Sequence, residues 1–105
     1  MPVISRGLEG IIAAETRIGD VRGDIGQLIY FGYDINELAG KVSYEEVVHL
    51  LWHGRLPKQR ELDKLTTALR AERELPEGVV NFIRSAPKTA APIDIMRTAV
   101  SMLGC

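Results

Sequence analysis

Residues 43–57 read S-Y-E-E-V-V-H-L-L-W-H-G-R-L-P, and this stretch carries every signal of a helix that sets its own ends. Ser43 stands at an N-cap position, and Glu46 three residues later completes a capping box, in which each side chain satisfies the other's backbone amide. Gly54 supplies the residue that adopts the left-handed conformation at a helix end. Pro57, with no N–H and a fixed φ, prevents continuation. Both histidines of the protein, His49 and His53, lie within this one segment. Any chemistry that needs histidine therefore has to be placed on this helix.

The remainder of the chain is punctuated in the same way. Residues 10–18 are rich in Ile, Ala and Thr and predict a strand, residues 19–24 a turn, and residues 27–31 a second strand. Together they predict a small β-hairpin over about residues 10–31. An isolated hairpin is marginal in water, so it has to pack on helices. Asp34 caps a short helix through Leu38, ended near Gly40. Residues 58–74, with Leu62, Leu65 and Leu69 at helical spacing, form a further helix that Pro76 stops. Residues 77–84 make another, and Pro87 breaks the chain again. Pro92, favoured in a first helical turn, opens the last helix, with Asp94 placed against the helix dipole. The expectation is a mainly α chain of short helices over about residues 34–104 with a small N-terminal β-hairpin. No repeat, low-complexity tract or flexible linker is visible.

At 105 residues the chain is one domain at most. Basic residues between Arg55 and Arg73 alternate with Glu61, Asp63, Glu72 and Glu74, and the net charge is −1. Nucleic-acid binding needs unopposed basic clustering, so no nucleic-acid partner is expected. A single cysteine, Cys105, allows neither an internal disulfide nor a metal cluster, and the plain expectation is a reducing, cytoplasmic setting. No signal-peptide pattern opens the chain. No apolar run approaches the ~20 residues that cross a bilayer, so no membrane partner is expected.

The last helix is informative in itself. Met96, Ala99, Val100 and Leu103 fall at i, i+3, i+4 and i+7, and Ile95 and Met102 widen that face. A helix apolar over most of its circumference lies inside a larger body. These residues predict an apolar surface that seeks a partner, by self-association or against missing protein.

Glu45, His49 and His53 fall on one stripe of the capped helix. Two histidines at i and i+4 can share a metal, but H-L-L-W-H lacks the glutamate of H-E-x-x-H and no third ligand is near. The favoured expectation buries Tyr44, Val47, Val48 and Leu51 and leaves Glu45, His49 and His53 on the wetter face. Gly19, Gly23 and Gly26 match no phosphate-binding spacing and read as turn residues. Trp52 in its apolar run reads as core or interface packing. No nucleophile elbow exists, and Cys105 has no placed base.

Several motifs fall in order along the chain: Gly7-Leu8-Glu9-Gly10, Glu15-Thr16-Arg17-Ile18, then Gly26 through Ile35 as G-Q-L-I-Y-F-G-Y-D-I. The capped helix follows, and Pro92 through Ser101 reads P-I-D-I-M-R-T-A-V-S. In this series the chain resembles the citrate synthase family, bacterial citrate or 2-methylcitrate synthase type, from about Gly7 to Gly104. Phe31 stands where an arginine is common and Ala91 where a histidine usually precedes the proline; neither breaks the match. The resemblance implies a mainly α, N-terminal piece of the large domain, a single partial domain over residues 1–105. It implies an acyltransferase of the tricarboxylic acid cycle that condenses acetyl-CoA with oxaloacetate, giving citrate and CoA in a homodimer without a metal. The family's catalytic histidines and aspartate come from beyond the matched region, so His49 and His53 do not correspond to them. Nor does the substrate-clamping role pass to Arg17, Arg22 or Arg97. The resemblance thus places no catalytic, cofactor-binding or metal residue in this chain, no bound cofactor, and no activity in the chain alone. Two other readings stand beside it: a 2-methylcitrate synthase using propionyl-CoA, and a free-standing helical interaction module without catalysis.

Overall fold

The computed structural model describes residues 7–105, with three short strands and five helices. Strands β1 (Gly19–Arg22), β2 (Gln27–Tyr30) and β3 (Tyr33–Asp34) form one antiparallel sheet in the order β1-β2-β3. The first strand lies later than the Ile- and Thr-rich stretch predicted. Residues 11–16 are irregular, and the predicted turn at 19–24 is largely strand. The reason is register. The turn falls at residues 23–26, closed by Ile25 N–H donating to the Arg22 carbonyl at 3.3 Å, with Gly26 at φ 65°. That pairs Arg22 with Gln27 and Gly19 with Tyr30. Because β2 ends at Tyr30, residues before 18 have no strand opposite them.

The second hairpin was not foreseen. Phe31 and Gly32 both take positive φ, 44° and 83°, and join Tyr30 to its cross-strand partner Tyr33. Two successive positive-φ residues in a two-residue loop match the twist of the flanking strands. Phe31 does so against the steric preference of a bulky residue.

Asp34 then turns sheet into helix. Its carboxylate accepts from Asn36 N–H at 2.9 Å and caps α1 (Ile35–Leu38), while Glu37 accepts from Asp34 N–H at 2.9 Å. Gln27 of β2 donates to the other carboxylate oxygen at 3.0 Å, fixing the cap to the sheet. These donors, the Asn36 amide foremost, hold the Asp34 carboxyl below its ordinary value.

Helix α2 (Tyr44–His53) has the predicted ends. Ser43 Oγ accepts from Glu46 N–H at 3.2 Å, and Glu46 caps Ser43 in return. Gly54 sits at φ 73°, its N–H donating to the Leu50 carbonyl at 2.8 Å. The positive φ favours glycine there, and a Cβ on Gly54 would also come within 3.3 Å of the Phe31 ring, which would have to shift slightly. Helix α3 (Gln59–Ala71) ends three residues short of the predicted Glu74. The Pro76 ring would clash with the carbonyl four residues before it, which disfavours helix from Glu72 onward. Helices α4 (Glu77–Ser85) and α5 (Pro92–Leu103) lie where expected.

The chain divides into two compact units, one through Thr67 and one from Ala68. In the first, Leu38, His49 and Leu50 are buried; in the second, Val79 and Ala99. The predicted orientation of α2 is therefore corrected. Tyr44, expected inside, is 77% exposed, and His49, expected outside, is only 5% exposed. Leucine periodicity alone could not reveal this, because an imidazole is admitted to a core only when its polar nitrogen finds a partner. Among the described residues no helix is long and apolar enough to cross a membrane.

Candidate functional site

In the first unit the polar groups converge around His49. Its Nδ1 lies 2.9 Å from the Arg55 carbonyl oxygen, on the turn that follows the Gly54 cap. A carbonyl only accepts, so Nδ1 carries a hydrogen, and in the neutral tautomer that this allows the lone pair lies on Nε2. The Arg55 guanidinium reaches forward to Glu61 in the first turn of α3, donating from Nη1 to Oε2 at 2.8 Å and from Nη2 to Oε1. Lys58 N–H also donates to Glu61 Oε2 at 2.8 Å, so Glu61 caps α3 while pairing with Arg55. His53, one turn after His49, is exposed, its ring centroid 4.4 Å from that of His49.

The electrostatics follow from those contacts. The Arg55 hydrogen bonds, then the Lys58 amide, hold the Glu61 carboxyl down at about 2 against an ordinary 4.5, and Glu61 raises Arg55 in turn. A folded-state pKa below the unfolded one stabilises the fold fully above the unfolded value. That contribution is lost as pH falls through the folded one. The expected result is that wild type exceeds Glu61→Gln in stability at pH 6, and that the difference shrinks between pH 4.5 and about 2. Urea midpoints of both proteins across that range check it; a difference independent of pH would contradict it.

Chemically, Arg55 and Glu61 are spent on each other, and His49 is anchored to backbone through Nδ1 alone. Among the described residues no group of three or more His, Cys, Asp or Glu side chains could hold a metal. Glu45 is half-buried, Trp52 is 67% exposed and so lies outside the core, and Cys105 is exposed. Of the three turn glycines, Gly26 alone takes a positive φ. Arg22 pairs with Asp20 at 2.9 Å and Arg97 with Asp94 at 3.0 Å, both on the surface. Arg55 and Glu61 were missed in the sequence; the readable trace was Glu61 at the third residue after Lys58, the spacing at which a glutamate caps a helix start.

In the second unit α4 and α5 enclose an open groove of about 320 Å³, lined by Leu75, Val79, Ile83, Ile95, Met96 and Val100 among others. No lining residue titrates, so the groove can bury apolar surface but cannot transfer a proton. Met96 and Val100 are 63% and 61% exposed. This is the apolar face that the spacing of α5 predicts.

The family model described as citrate synthase, C-terminal domain, matches residues 7–105. Citrate synthase of Haloferax volcanii is 46% identical over 101 residues, covering 95% of this chain and 27% of that protein. 2-Methylcitrate synthase 2 of Corynebacterium glutamicum is 42% identical over 101 residues, covering 96% and 26%. The crystal structure of Thermotoga maritima citrate synthase superposes with a TM-score of 0.88 at 34% identity, over 95% of this chain and 28% of that one. The chain thus spans about a quarter of the length of the relatives it matches. With the match running through nearly every described residue, in sequence and in fold alike, the chain belongs to the citrate synthase family.

Proposed function

We propose that this chain is the N-terminal scaffold segment of a citrate synthase large domain, with the reacting groups supplied by the rest of that enzyme. The observation that carries the reading is the 46% identity to a citrate synthase confined to 27% of its length. The reaction joins the acetyl methyl carbon of acetyl-CoA to the oxaloacetate carbonyl, and water then releases CoA and citrate. It needs a base to take the methyl proton and donors to stabilise the enolate and alkoxide. The apolar groove and the self-paired Arg55–Glu61 cluster offer neither. The segment's part is to hold shape, with no cofactor or metal required for the condensation and a cytoplasmic setting. The 42% identity to a 2-methylcitrate synthase supports propionyl-CoA as the alternative acyl donor. The uncovered face of α5 supports assembly with further protein, including a second copy as in a homodimer.

Thiol detection with acetyl-CoA and oxaloacetate tests the assignment. The purified chain is expected to release no CoA above the protein-free blank, and to sediment as a mixture of associated species. Turnover by the pure chain would overturn the placement of the reacting groups elsewhere, and a single sharp monomer boundary would overturn the assembly role.

A further inference from the structure

We infer that His49 and His53 form a two-nitrogen binding site for a divalent late transition-metal ion of the Cu2+ class, beyond the scaffold role proposed above. The ring centroids are 4.4 Å apart and the planes tilted by 42°. An imidazole nitrogen binds such a metal at ~2.0–2.1 Å, which puts each ring centroid about 3.2 Å from the ion. Two rings at a right angle on one ion then stand roughly 4.5 Å apart, the adjacent-corner arrangement of square-planar Cu2+. The rings are at that separation already.

The second observation is the anchor on His49. Its Nδ1–H is committed to the Arg55 carbonyl at 2.9 Å, which fixes the tautomer and leaves Nε2 as the lone-pair nitrogen. A ring N–H held by a backbone carbonyl is the usual support behind a metal-binding histidine, and losing such support costs 10–100-fold in affinity. No buried side-chain nitrogen or oxygen among the described residues lacks a partner. Nε2 of His49 makes no hydrogen bond within them, so it reaches solvent. The pair is complementary: His49 is buried and anchored, and His53 is exposed beside it.

Among the described residues no third His, Cys, Asp or Glu completes a protein set. Water therefore fills the remaining positions, and the site is open and exchangeable rather than structural. Cu2+ is the fitting probe because it heads the affinity order for nitrogen sites.

The test is calorimetric titration of the tag-free 105-residue chain with Cu2+ at neutral pH, beside electron paramagnetic resonance of the loaded protein. Because His49 is buried, the decisive variant is at the exposed position, His53→Ala, with circular dichroism confirming its fold. One ion per chain is expected, with coupling to two imidazole nitrogens, and His53→Ala weakens binding at least tenfold and leaves one such nitrogen. Absence of binding, coupling to a single nitrogen in wild type, or unchanged affinity in His53→Ala would each overturn the site.

Discussion

Leu50→Ala is expected to destabilise the chain by about 2–5 kcal/mol, the cost of removing a fully buried leucine and leaving a cavity. Among the described residues Leu50 is the one large side chain with no exposed surface, 0%. It lies in the last turns of α2, and its carbonyl accepts the N–H of the Gly54 cap. Leu38, at 2% exposure, is the other buried aliphatic side chain of that unit among the described residues. With so few buried neighbours to close the gap, the loss takes a large share of the roughly 5–15 kcal/mol that holds a small domain together. Urea unfolding at one fixed protein concentration measures it. A shift equivalent to less than about 1 kcal/mol would place the core of this unit elsewhere.

His49→Ala is expected to cost about 1–3 kcal/mol, while His53→Ala stays within about 0.5 kcal/mol. The two residues are chemically identical and one helical turn apart, so the contrast isolates environment. His49 is buried and donates to the Arg55 carbonyl; its removal strips that oxygen of its donor and opens space under α2. His53 is exposed. Paired unfolding curves read the difference, and equal effects would contradict the burial of His49.

These histidines show where the sequence stops being legible. The ends of α2 were readable because capping is local: Ser43, Glu46 and Gly54 act within one turn of themselves. The same holds for Asp34 and α1 and for Pro92 at the start of α5. Which face of α2 turns inward was not readable. The apolar residues run almost continuously from Val47 to Trp52, and the deciding contact is a carbonyl six residues beyond His49. The first strand was misplaced for a related reason. Residues 10–18 have strand composition, but pairing is set by the turn at 23–26 and the short length of β2, neither of which is a property of that stretch. The Phe31–Gly32 turn was hidden because phenylalanine carries no expectation of positive φ. The apolar face of α5 was legible, since helical spacing alone defines it.

The polar groups that the described residues bring together follow the same local logic. The polar groups brought together, Arg55, Glu61 and the Lys58 amide, satisfy one another and fasten the start of α3 to the end of α2. On α5 the large side chains of Ile93, Met96, Val100 and Leu103 face outward. Such a surface suits a segment that completes its core against further protein.

The most direct test is a graft. Residues 7–105 replace the matched stretch of Thermotoga maritima citrate synthase, whose structure superposes on them with a TM-score of 0.88. The quantity measured is oxaloacetate-dependent CoA release from acetyl-CoA. A working scaffold segment predicts a graft that folds, keeps the parent's oligomeric size and turns over. A graft of parental size and secondary structure that releases no CoA would contradict it.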